Sequence, residues 1–374
     1  MPDKPKHIGT LTFHDEYNFG AVLQAFSLQR TIQSLGHANA IINFARPTRG
    51  TARRMFHFTL DRASVIHNLL SLSTLRSQMA LRKRFAAFVN AQMTLTPESY
   101  HSAQALDESR LPFDVFVTGS DIVWQPAWLA TSYASVYYLD FAKTGRRVAY
   151  APSFGVSEIP PQHRGRIAEY LNRFDFLSAR EESGCRIIRE LTGREAMHVL
   201  DPTLLQPASE YDKVATAPSQ SEPYILMYPM QESAELHRLA SNVKRRLGLP
   251  LIAVVPVYRN RWKYEFADKV VYDAGPADFL GWLKHAAFVC TNSFHGTAFS
   301  IIYRKRFLAS PSQIMNTRTI GLLERVGLES RQVHDADAVR EHGDVLDPID
   351  YASVELRLNQ AVEESRNYLA NALR

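Results

Sequence analysis

Residues 7–44 read HIGTLTFHDEYNFGAVLQAFSLQRTIQSLGHANAIINF, a complete βαβ unit. Residues 7–13 form a short apolar run, as a buried strand would. Between 21 and 35, Val22, Leu23, Phe26, Ile32 and Leu35 recur at helical spacing, which predicts an amphipathic helix. Gly36 then supplies a stop, and residues 40–44 (AIINF) form the next strand. Strand, crossover helix and strand imply a parallel sheet with right-handed connections.

The alternation continues outward from this unit. Residues 114–118, 147–152, 174–178 and 197–200 read as strands that end in polar or glycine-containing turns. Residues 208–223 are rich in Ser, Ala and Pro and read as a linker. A second block has strands at 224–228, 250–255 and 286–292, and helices at 232–247, 276–285 and from 297 onward. A long helix over 351–373 follows. A length of 374 residues agrees with about two domains. The expected class is α/β, with two Rossmann-like domains facing a cleft in the GT-B manner. The expected boundaries are 1–206, a linker at 207–223, 224–350, and a C-terminal helix at 351–374 that crosses back to the first domain. No internal sequence repeat is visible.

Cys185 and Cys290 are the two cysteines, too few for a disulfide framework or a zinc ribbon. Cys290 lies in an apolar strand and reads as core. The N-terminus lacks the apolar segment of a signal peptide, and no run of about 18 apolar residues exists. A cytoplasmic protein is expected. The net charge is +5, yet nine Lys or Arg and one acid fall between Arg46 and Arg84. That segment carries +8 and the remainder −3. It also spaces Val65, Ile66, Leu69, Leu70 and Leu75 like a helix. A basic amphipathic helix can lie on a membrane surface; the commoner alternative is a helix that packs between domains. Without zinc-finger spacings or an aromatic RNP signature, nucleic acid is not an expected partner.

Ligands of open α/β sheets bind at the carboxyl ends of the strands, so the polar residues there are the candidates. Ser293-Phe294-His295-Gly296 opens a helix, where free N–H groups suit a phosphate and His295 can move a proton. The plain alternative is a capped helix with a turn histidine. Arg180 ends a strand and can grip an anion with two hydrogen bonds, or pair with Glu181 or Glu182. Gly119, Ser120 and Asp121 suit sugar hydroxyls or a base, or a simple turn. Asn18 and Gly20 in the first loop can hold an anion, or merely cap a helix. Arg318 follows another loop. The signatures of dinucleotide folds, P-loop NTPases, α/β-hydrolases and zinc hydrolases are absent. Asp335-Ala336-Asp337 has the D-x-D form but no strand before it, so no metal site is expected.

Taken in order, these pieces resemble one family. Asn18-Phe19-Gly20-Ala21, Thr118-Gly119-Ser120-Asp121, Ala151-Pro152-Ser153-Phe154-Gly155, Ser178-Ala179-Arg180-Glu181, Leu200-Asp201-Pro202-Thr203, Thr291-Asn292-Ser293-Phe294-His295-Gly296 and Asn316-Thr317-Arg318 are similar to motifs of the polysaccharide pyruvyl transferases. One departure is Arg306, where members often carry proline before the phenylalanine. The resemblance implies phosphoenolpyruvate as donor substrate, no cofactor, and a pyruvyl ketal formed on a sugar of a surface or exported glycan. For the chemistry of that donor, His295 is the expected acid, Asp121 the expected base (Asp15 or Glu16 in reserve) and Arg180 a catalytic cation. Asn18, Gly20, Gly119, Ser120, Ser153, Ser293, Gly296 and Arg318 become substrate-binding residues. A lipid-linked saccharide acceptor would bring the basic 46–84 segment to the inner face of the membrane. Two rivals stand beside this reading: a glycosyltransferase using a nucleotide sugar, and an inactive glycan-binding protein.

Overall fold

The computed structural model describes residues 4–46, 62–255, 264–311, 316–337, 339 and 346–374. Strands β1 (His7–Leu11), β2 (Ala38–Phe44), β3 (Leu95–Tyr100), β4 (Val115–Thr118) and β5 (Arg146–Ala149) build one sheet. Two short strands, β6 (Ser178–Ala179) and β7 (Met197–His198), pair beside it, and Phe176 bridges to Val148 of β5. The second sheet holds β8 (Ile225–Tyr228), β9 (Leu251–Val254), β10 (Lys269–Val271), β11 (Phe288–Thr291) and β12 (Phe307–Ala309).

Both five-stranded sheets have the same order. The first runs β3-β2-β1-β4-β5 and the second β10-β9-β8-β11-β12, with parallel pairing. Strand order therefore reverses beside β1 and β4 in one half, and beside β8 and β11 in the other. Crevices for ligands open at such reversal points.

Several elements depart from expectation. The strands expected at 174–178 and 197–200 contract to two residues each. Strands β3, β10 and β12 were not anticipated. β3 is an edge strand, LTPESY, largely exposed and interrupted by Pro97, which leaves no apolar alternation to read. The first helix, Phe19–Ser34, is buried on nearly every side because a second lobe covers the face expected to meet water. Its buried amides bond to neighbouring elements. Gln24 Nε2 donates to Thr12 Oγ1 at 2.8 Å and Gln29 Nε2 to Thr94 O at 2.9 Å.

Aromatic rings close the junction between the lobes. Phe19 stacks on Phe279 at 4.7 Å and 12°, and on Phe85 at 5.5 Å and 17°. Part of the expected linker is the helical turn Ala208–Asp212. Its Tyr211 is wholly buried, edge-on to Phe299 at 4.9 Å, and donates to Thr203 O at 2.6 Å.

The last helix, Tyr351–Leu373, spans both halves. Tyr351 donates to Lys305 O at 2.6 Å in the second lobe. Tyr368 donates to Ala149 O, and Ser365 Oγ accepts from Leu200 N, both at 2.9 Å in the first.

The basic segment continues into the helix Arg62–Gln92. Its Leu81, Phe85 and Phe88 are buried in the junction, and Arg84 pairs with Asp273 at 3.1 Å and Asp278 at 3.6 Å. This part is a packing helix. The side chains of Val65, Ile66, Leu69 and Leu70 lie outside the described residues. No described helix is long and apolar enough to cross a membrane.

Candidate functional site

The expected site residues converge from both lobes, each just beyond a strand end. Ser120 and Asp121 follow β4, Arg180 and Glu181 follow β6, and His295 follows β11. At their centre is Asp201, a residue quoted in the motif series but given no role. It follows β7 and is 1% exposed. Its Oδ2 accepts from Ser120 Oγ at 2.8 Å and from Arg180 Nη1 at 2.8 Å, and faces His295 Nε2 at 3.6 Å. Its Oδ1 accepts from Thr203 N at 3.0 Å and Thr203 Oγ1 at 2.8 Å. Burial alone would push this carboxyl up. His295, Arg180 and the Thr203 amide outweigh it and hold Asp201 well below the usual carboxylate range.

Arg180 is buried with its guanidinium 4.6 Å from the Phe294 ring centre. Beyond Asp201 it meets Asp121 at 3.9 Å and Glu181 at 4.0 Å, too far for hydrogen bonds. Its Nε and Nη2 thus have no hydrogen-bond partner. Burial lowers its proton affinity, but Asp201, Asp121 and Glu181 raise it further. Arg318 joins the cluster. Burial and neighbouring Arg180 bring its guanidinium down to about 10, against the pull of Glu181, Asp121 and Asp201. The two guanidiniums repel each other, and an anion bound between them would relieve that repulsion.

Gly20 is placed against His295. A Cβ on Gly20 would lie 1.9 Å from His295 Nδ1. Both are second residues of their helices, Phe19–Ser34 and Phe294–Ile302. Two helix N-termini, one per lobe, therefore meet at this contact, each with its positive dipole end. Asn18 caps the first, accepting from Ala21 N at 3.3 Å, and Ser293 caps the second, accepting from Gly296 N at 3.3 Å.

Other expected contacts face protein. A Cβ on Gly119 would meet Thr12 at 2.9 Å, and one on Gly296 would meet Thr291 Oγ1 at 2.3 Å. Both glycines allow close packing of the elements that carry the site. Ser153 is wholly buried and donates to Glu181 Oε1 at 2.7 Å. Asp121 has a left-handed backbone, φ 82°, uncommon outside glycine and frequent at functional sites. Asp335 and Asp337 form a turn in which Asp335 Oδ1 accepts from Asp337 N at 2.9 Å. Cys290 is fully buried, and burial pushes its thiol up.

The ordered set of loops has a counterpart in sequence. The polysaccharide pyruvyl transferase model matches residues 18–311, well over half the chain. The chain belongs to the polysaccharide pyruvyl transferase family.

The match begins at the cap residue Asn18 and extends through His295, so it contains most of the assembled site. A search among curated proteins finds no match. Among solved structures, the chain resembles one described as a UDP-N-acetylglucosamine 2-epimerase from Listeria monocytogenes. Identity is 10%, with 99% of this chain and 94% of that chain covered, at a TM-score of 0.51. It also resembles the Rickettsia bellii UDP-N-acetylglucosamine 2-epimerase, at 11% identity, 99% and 96% coverage and a TM-score of 0.49. The Streptomyces nogalater glycosyltransferase SnogD follows at 12%, 99% and 99%, and 0.45. At these identities the likeness is one of fold. The protein is a GT-B-like member of a transferase family, with two Rossmann-like halves.

Proposed function

We propose that this pyruvyl transferase family member moves a pyruvyl group from phosphoenolpyruvate to a saccharide, forming a ketal across two hydroxyls. The observation that carries the reading is the meeting of two helix N-termini at Gly20 and His295. With His295 protonated, the cluster's three carboxylates (Asp121, Glu181, Asp201) balance Arg180, Arg318 and the imidazolium. Side chains alone therefore give no net pull on an anion. The paired dipole ends supply it, and the spare N–H groups of Arg180 can take a donor oxygen.

In this reading His295 protonates the methylene carbon of phosphoenolpyruvate, leaving an oxocarbenium-like centre. A sugar hydroxyl adds to the cationic carbon that bears the phosphate oxygen and gives its proton to Asp121. The bond to the phosphate oxygen breaks and phosphate leaves. The second hydroxyl adds, returns a proton to the now neutral His295, and closes the ketal, while the proton on Asp121 leaves with the phosphate. Phosphoenolpyruvate and diol thus become ketal and phosphate, with no change of oxidation state and no call for a resident cofactor.

Arg180 and His295 are buried in ion pairs, and the inactive alternative would need those pairs to lie away from the cleft. Those pairs lie at strand ends on the lobe junction, where a ligand would enter. Thermal unfolding with millimolar phosphoenolpyruvate and a nucleotide-sugar panel separates the readings. Saturation of about 100 Kd adds roughly 2.7 kcal/mol to the native state. The midpoint should rise with phosphoenolpyruvate, and the rise should vanish in His295→Ala. A rise with a nucleotide sugar alone moves the function to glycosyl transfer; no rise with either leaves the glycan-binding reading.

A cytoplasmic location, a lipid-linked acceptor and peripheral membrane contact through the basic 46–84 segment belong to the same reading. Arg84, paired with Asp273 and Asp278, is already occupied. Flotation with anionic vesicles at low salt is the check: recovery that falls with added salt is expected, and no recovery at low salt removes the contact.

A further inference from the structure

We infer that Asp201 is a positioning residue that fixes the His295 imidazole in one orientation and is the carboxylate an imidazolium there would pair with. The inference rests on the reading of His295 as the acid. Asp201 is itself immobilised: Thr203 holds Oδ1 twice, and Ser120 and Arg180 hold Oδ2. Its place does not depend on the histidine it faces. The His295 ring lies between the lobes against Gly20 and Phe294, and its Nε2 has no partner within hydrogen-bond distance. The ring's Nε2 faces Asp201 at 3.6 Å, while Nδ1 faces Gly20. With Nε2–H directed at the carboxylate, Nδ1 is the nitrogen turned toward the two helix ends. Aspartate orients histidine through its second nitrogen in other catalytic pairs by the same physics.

Among the ion pairs of the described residues, Asp201 is the carboxylate paired with His295. It belongs to the first lobe and His295 to the second. The pair therefore joins the two lobes at the site.

The test follows the His295 ring by NMR titration of the substrate-free full chain, its signal identified by loss in His295→Gln. In Asp201→Asn the ring should release its proton about 1 pH unit lower or more, as expected on losing an opposite charge within 4–6 Å. An unchanged or higher midpoint overturns the inference. Should Asp201→Asn fail to fold, Ser120→Ala decides. It removes one donor from Oδ2 and leaves the charge to His295 and Arg180, so the midpoint should rise; no change or a fall overturns the inference. No substrate enters this experiment, so it gives its answer even if phosphoenolpyruvate proves not to be the donor.

Discussion

Gly20→Ala should cost about 100-fold or more in turnover, within the 10²–10⁴ contributed by a positioned acid, while the fold survives. The added methyl would lie 1.9 Å from His295 Nδ1 and 2.2 Å from its Cγ. Contacts that short cannot persist, and an imidazole yields more readily than two helix backbones. Alanine is otherwise welcome in a helix, where it gains up to about 1 kcal/mol over glycine. The damage should therefore concentrate on the ring. Overpacking of this kind costs about 1–3 kcal/mol. The double variant Gly20→Ala, His295→Ala gives the specific check. With the ring gone the methyl has room, so adding Gly20→Ala to His295→Ala should cost little or nothing. Urea midpoints across the four proteins measure that coupling, and phosphate release from phosphoenolpyruvate with acceptor measures turnover. Full turnover in Gly20→Ala would mean that His295 works from some other position.

That contact also shows where sequence reading stops. Gly20 was legible as a residue at a helix start, and His295 as a residue at another, 275 positions later in the chain. Local pattern places each at its own strand end. It says nothing of their touching, because that depends on how two lobes are docked. Asp201 was missed for a related reason. It follows a strand of only two residues, and its partners Ser120 and His295 are far away in sequence. A carboxylate before proline reads locally as a turn or cap, and it is one, since Asp201 also caps the short helix Pro202–Leu205. The shared strand order of the two sheets was hidden because equal topology needs equal patterns of burial, not equal residues. What did transfer was the βαβ reading of residues 7–44, and the polar residues picked at strand ends do lie together. The basic segment marks the limit of charge as a guide: Arg84 answers the acids of the opposite lobe, and composition alone cannot tell that from attraction to lipid.

Arg180→Ala should be the most destabilising substitution in the site, by about 3–5 kcal/mol, the usual cost of breaking a buried ion pair from one side. The guanidinium is 2.8 Å from Asp201 Oδ2 and within 4.0 Å of Asp121 and Glu181. Its removal leaves those three carboxylates facing Arg318 and His295 alone, and empties the space over Phe294. Two further variants separate charge from shape. Adding Asp201→Asn to Arg180→Ala removes one uncompensated charge while keeping groups that can bond Ser120 and Thr203. Stability should then recover in part, by about 1–3 kcal/mol, without any return of activity. Arg180→Lys keeps the charge, but a compact ammonium cannot span Asp201 and still offer the two spare N–H groups of the fork. It should fold better than Arg180→Ala and yet lose the thermal shift with phosphoenolpyruvate. Urea denaturation of the three variants reads the first contrast, and thermal unfolding with ligand reads the second. A loss below about 1 kcal/mol in Arg180→Ala is what a solvated surface pair would show, and it would mean that water already reaches the cluster between the lobes.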